Sequence, residues 1–181
     1  TGHLVLGTLH TKSAQDTVTR IVDVFPANQQ AQIRTQLAGA VQAIVCQALT
    51  KTLDGNGRQA AVEILLATPA IRAMIRDDKL QQIPGTLQAN GRLGMRTLNQ
   101  DLAEHVKSGR IAYDVALEKC TDVGDLNDNL GGPEKGAQYT AQAKRRLASG
   151  SGNSQGGPSP AGQPQRTPIP PMGGTPGAPT P

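Results

Sequence analysis

The chain has 181 residues, of which 36% are hydrophobic and 18% charged, and it carries a formal net charge of +4. All of that excess lies from residue 132 onward, where 5 basic residues meet 1 acidic one, whereas residues 1–131 carry 13 of each, so the pI of about 9.3 describes a tail and not a basic nucleic-acid face. Phe25 and Tyr113 are the only aromatic side chains before residue 132, which removes the stacking platform a single-strand nucleic-acid binder needs, and no apolar run reaches the ~20 residues of a membrane span.

The chain opens Thr-Gly-His with no basic leader and enters an apolar run at once, the pattern of a truncated start. Residues 3–10, HLVLGTLH, suit a buried parallel strand. Ser13 followed by Asp16 marks a helix start, Val18, Ile21 and Val22 recur at helical spacing, and Phe25-Pro26 stops the helix. A second helix is expected over residues 29–37, broken by Gly39. Two apolar runs, 41–53 and 58–67, flank Asp54-Gly55-Asn56-Gly57, a strong hairpin signal. Thr68 and Pro69 then read as N-cap and first residue of a short helix through Arg76. Further helices are expected over 79–90, 97–108, 112–120 and 123–130. From Gly132 the chain holds ten of the 13 prolines and ten of the 21 glycines, and it is expected to be disordered, with 141–147 as its one helical candidate.

Two catalytic patterns fail on context. Gly55 to Ala60 fits G-x-G-x-x-A, but it sits in a hairpin turn instead of between a strand and a helix. Gly152 to Gly156 fits G-x-S-x-G inside the Gly/Ser-rich tail, where chance matches are common. There is no G-x-x-x-x-G-K-[ST], so nothing in the chain can cradle a β-phosphate or offer a P-loop hydroxyl to Mg²⁺. Cys46 and Cys120 lack any zinc-type spacing and suggest a reducing compartment. His3 and His10 are an odd number of residues apart, which on a strand places them on opposite faces and excludes a shared metal. Periodicity alone favours a lone strand-end histidine as a hydrogen-bonded structural residue; the functional alternative is that His10, at the C-terminal end of such a strand, faces the crevice where open α/β sheets bind ligands. Ile71, Met74 and Ile75 form a docking stripe, while Arg72 and Arg76 sit one turn apart as a like-charge pair, either two solvated arginines, the usual fate of such pairs, or a contact for an acidic partner surface.

Residues 1–26, TGHLVLGTLHTKSAQDTVTRIVDVFP, resemble the His box and following helix of secretion and type IV pilus ATPases. His3 and His10 match the two histidines of the box, with Lys12 in place of the more usual Thr and Thr19 in place of an Asp before Arg20. TPAIRAMIRD, residues 68–77, resembles the AIRNLIRE motif of the pilus retraction motors. Ala70, Ile71, Arg72, Ile75 and Arg76 match, while Ala73, Met74 and Asp77 replace Asn, Leu and Glu. The resemblance continues to about residue 130.

It implies an α/β fold, the C-terminal portion of a RecA-like P-loop ATPase domain, with a strand, helices and a β-hairpin over residues 1–68. A small helical subdomain over 69–131 and the disordered tail over 132–181 would follow. It further implies that the parent is a hexameric, cytoplasmic ATPase peripheral to the inner membrane, powering pilus retraction and twitching motility with ATP and Mg²⁺. Its partners would be copies of itself and the platform protein at the pilus base. In that scheme His10 senses the γ-phosphate, His3 supports it, Arg20 lies at an interface, and Ala70, Ile71, Arg72, Ile75 and Arg76 form the motor motif. The chain alone, lacking the P-loop, is expected neither to bind nor to hydrolyse ATP. The alternatives are a pilus assembly or type II secretion ATPase, and a non-catalytic short product that docks on an intact motor ring.

Overall fold

The computed structural model describes residues 2–149, and the Gly/Ser pattern at 152–156 lies outside them. Strand β1 (Ala43–Lys51) pairs antiparallel with β2 (Arg58–Leu66), from Ala43 opposite Leu66 to Lys51 opposite Arg58. The expected hairpin is present, and its turn closes on its own polar side chains. The Thr52 hydroxyl donates to the Asp54 carboxylate at 2.6 Å and accepts from the Gly57 amide at 2.9 Å, while Asp54 also accepts from the Asn56 amide. These donors hold the Asp54 carboxyl below its usual range, the Thr52 hydroxyl foremost.

Helix α1 (Ala14–Asp23) starts as expected, with the Ser13 hydroxyl accepting from the Asp16 amide at 3.1 Å. Helix α2 (Ala27–Ala40) is longer than the sequence suggests and runs through Gly39. Its last turn gains an external cap, because Arg72 donates to the carbonyls of Ala38 and Gly39. Helix α3 (Pro69–Arg76) has Thr68 as N-cap and Pro69 in its first turn. The single helix expected over 79–90 is split into a 3₁₀ turn (Leu80–Gln82) and α4 (Ile83–Ala89). Pro84 has no N–H to continue the preceding turn but fits the start of a new helix. Helices α5 (Leu98–Lys107), α6 (Tyr113–Lys119) and α7 (Val123–Leu130) follow where expected, α5 with a capping box between Thr97 and Gln100.

Two expectations are corrected. Residues 3–10 form no strand: they run without regular structure, and Leu4, Val5 and Leu6 are 78%, 83% and 89% exposed. A parallel strand needs a hydrogen-bonding neighbour, and the only sheet among the described residues is the two-stranded hairpin. Disorder is also not what directly follows residue 132: helix α8 (Pro133–Ala148) lies there, and it contains the helical candidate at 141–147. Its segment is rich in Ala, Gln, Lys and Arg, good helix formers, and the dense Pro/Gly composition begins only after it. Two close approaches dock α8. A Cβ on Gly136 would stand 2.6 Å from the Tyr113 ring, and one on Gly109, whose φ is +71°, would stand 2.7 Å from Ala143 Cβ. The Tyr113 amide also donates to the Thr140 hydroxyl at 2.9 Å. No helix among the described residues is long and apolar enough to cross a membrane.

Residues Ala61, Glu63 and Leu65 share the buried face of β2. Leu65 packs with Ala14, Val18, Ile71, Ile75 and Leu87, the cluster of α1 to α4. Ala61 packs with Leu102, Val106, Ile111, Leu126 and Leu130, the cluster of α5 to α7. Glu63, only 7% exposed, stands between the two, and its carboxylate accepts the Ala14 amide at 2.7 Å. Burial raises its pKa, and the neighbouring backbone amides, that of Ala14 foremost, only partly offset the effect.

Gly136→Ala is expected to drive a methyl group into the Tyr113 ring and destabilise the fold by ~1–3 kcal/mol, with the α8 amides losing hydrogen-exchange protection first. Glu63 also gives the fold a pH signature. A carboxyl whose folded pKa lies above its unfolded one lends stability that is complete below the unfolded value and is lost as pH rises through the folded one. Urea unfolding of wild type and Glu63→Gln between about pH 4 and 8 should therefore show wild-type stability declining relative to the variant as pH rises. A pH-independent difference would mean that the burial penalty is fully compensated.

Candidate functional site

Sequence motifs place two groups of functional candidates, on the loop before α1 and on α3, and the structure adds a third around Glu63. The first is the loop before α1. His3 and His10 both lie on the exposed segment, and neither imidazole is hydrogen-bonded to another described side chain. The His10 carbonyl is held, however: Arg20, in the last turn of α1, donates to it from Nη1 at 2.7 Å. Arg20 thus has an orienting partner despite the neutral Thr19 beside it. Next along the loop, the Thr11 and Thr17 hydroxyls are 2.7 Å apart, and Thr17 donates to the Ser13 carbonyl at 2.9 Å, which anchors the loop to the helix start. Cys46 stands behind Thr17 with its thiol pKa raised by burial, so it is a packed side chain and not an activated nucleophile.

The second group is α3. Ile71 and Ile75 are fully buried, Met74 is half-buried, and Ala70 is exposed. The two arginines have different fates. Arg72 donates from Nε to the Ala67 carbonyl at 3.0 Å, from Nη1 to the carbonyls of Ala38 and Gly39, and from Nη2 to Gln42 Oε1 at 3.3 Å. Four of its five N–H groups are therefore committed inside the chain. Arg76 is exposed and meets only the neighbouring Asp77, at 3.0 Å.

The third group carries no motif in the sequence. Glu63 faces a cavity of about 810 Å³ whose lining includes Lys12, Gln47, Leu87, Asn99 and Cys120. Asn99 ties α5 to the turn before α7, donating to the Asp122 carbonyl at 3.0 Å and to Asp125 at 2.8 Å. On the other side of β2, α5 side chains occupy the strand edge. Asp101 accepts the Val62 amide at 2.8 Å, His105 Nε2 lies 2.9 Å from the Ala60 carbonyl, and Ile64 exchanges backbone bonds with Arg96. Arg96 in turn contacts the second carboxylate oxygen of Asp101. An acid inside the apolar run AAVEILL was the available signal for Glu63, since an unpaired Glu is almost never fully buried.

Among the described residues no three His, Cys, Asp or Glu side chains are grouped as they would be to hold a metal ion.

Comparison with known proteins agrees with the local patterns. The chain is 50% identical over 119 residues to a twitching motility protein of Neisseria gonorrhoeae, an alignment covering 66% of this chain and 32% of the relative. It is 49% identical over 119 residues to the type IV pilus retraction ATPase PilT of Pseudomonas aeruginosa, covering 66% of this chain and 34% of that one. The structure of the pilus retraction motor PilT with bound ADP superposes with a TM-score of 0.61 at 44% identity, over 71% of this chain and 35% of that chain. The chain thus spans about a third of the length of these relatives. Because the Type II/IV secretion system protein family matches residues 1–119, with the loop before α1, the hairpin and α3 all inside that span, the chain belongs to this family.

Proposed function

We propose that this chain is the C-terminal part of a hexameric ATPase that powers type IV pilus retraction and twitching motility. The observation that carries this reading is the near-half identity over 119 residues to a twitching motility protein and to a retraction ATPase. The match of Ala70, Ile71, Arg72, Ile75 and Arg76 to the retraction-type motif favours retraction over pilus assembly or type II secretion. In the longer protein His10 would donate from its imidazole to a γ-phosphate oxygen, with His3 supporting the same loop and Arg20 holding its backbone. ATP's β-phosphate and Mg²⁺ would be held by residues outside this chain, because it contains no P-loop sequence. The ring would work on the cytoplasmic side of the inner membrane against the platform protein at the pilus base, moving as rigid bodies between nucleotide states.

Three outcomes test this reading. Calorimetric titration of ATP into the 181-residue chain should show no binding, and micromolar affinity would mean that these residues form more of the site than proposed. In the full-length protein, His10→Ala should lower turnover on the order of 10²-fold, as expected for loss of a donor that strengthens in the transition state. Arg76→Ala should leave ATP turnover largely intact while abolishing twitching. Normal motility in that variant would return Arg76 to an ordinary solvated side chain.

A further inference from the structure

We infer that Arg72 is a positioning residue and not a partner contact: it fastens α3 to the C-terminal end of α2, so that the two helices move as one body and Arg76 alone is presented outward. The inference rests on the motor reading above only in what it says about movement.

The geometry of the latch is specific. The last carbonyls of a helix have no intrahelical partner and carry the negative end of its dipole. Arg72 reaches two of them, Ala38 and Gly39, from one Nη, and its Nε takes the Ala67 carbonyl just before α3. Its other Nη reaches Gln42, the residue that leads into β1. One planar guanidinium therefore joins α2, the start of β1, and the β2–α3 junction, which a flexible ammonium could not bridge in the same way. A second tie lies at the far end of α3. Asp78 adopts a left-handed φ of +58°, and its carboxylate stands 3.6 Å from Arg34 of α2. Between the two ties, Ile71, Ile75 and Ala38 share one apolar cluster with Val18 of α1.

A continuous path follows from these contacts. The His10 carbonyl is bonded to Arg20 on α1, α1 packs on α2, and α2 is fastened to α3 by Arg72. Displacement of the His10 loop would be delivered to the exposed end of α3, where Arg76 stands. In this arrangement the two arginines of the motif divide the work, Arg72 inside and Arg76 outside.

Hydrogen exchange on the full-length protein, with and without a non-hydrolysable ATP analogue, tests the assignment in wild type, Arg72→Met, Arg72→Lys and Arg76→Ala. Without nucleotide, Arg72→Met should speed exchange of amides at 37–42 and 69–73 by about tenfold, Arg72→Lys less, and Arg76→Ala not at all. With the analogue, Arg72→Met should keep the wild-type response over residues 10–23 and lose it over 69–79, a split that general destabilisation would not produce. Unchanged protection in Arg72→Met, or a nucleotide response that still reaches α3, overturns the inference. The motor reading is judged separately, by wild-type ATP turnover, so if that reading fails the nucleotide-free comparison still decides whether the latch exists.

Discussion

The structure depends on one buried carboxylate. Glu63 occupies the middle of the only inward-facing stretch of β2, and the two apolar clusters meet on either side of it. The orphan amide at the start of α1 ends on its carboxylate, so the helix is aimed at a strand residue 49 positions further along the chain. A carboxylate here costs desolvation, which is why its pKa is raised. Its removal would leave the buried Ala14 N–H without an acceptor, at ~1–3 kcal/mol. An apolar residue would pack in the strand but would not orient α1, and the His10 loop is the N-terminal continuation of α1.

The elements whose signals are local were legible in the sequence. Ser13, Thr68 and Thr97 cap helices through contacts three residues away, and the Asp54 turn closes on itself. What was not legible depends on partners distant along the chain. The extension of α2 through Gly39 needs a guanidinium from residue 72, and the part of α8 that precedes the helical candidate at 141–147 docks through the Tyr113 ring against Gly136. The strand expected at residues 3–10 failed for the complementary reason. Its apolar pattern is real, but the pattern specifies burial only when a neighbouring strand is present to pair with it.

The like-charge pair on α3 shows why spacing alone cannot assign a role. Arg72 and Arg76 are one turn apart and lie on the same side of the helix, so sequence treats them alike. Helical side chains lean toward the N-terminus of their helix, and this direction separates them. Arg72, in the first turn, leans out over the helix start onto Ala67 and the end of α2. Arg76, in the last turn, has no such neighbour and meets only the adjacent Asp77. Position along the helix, not charge, decides which arginine is satisfied internally.

The hairpin has two edges, and only one of them is closed. Along β2 the groups that a further strand would use are taken by Arg96, Asp101 and His105. Along β1 no comparable cover exists among the described residues, and Val45 and Leu49 are 63% and 54% exposed. Side chains that mimic a strand give backbone pairing on one side without offering a new template beyond it. The sheet therefore has a polarity of growth. Any strand joining it, from this polypeptide or another, must add beside β1, and the helical half of the molecule stays outside the enlarged sheet whatever its final width.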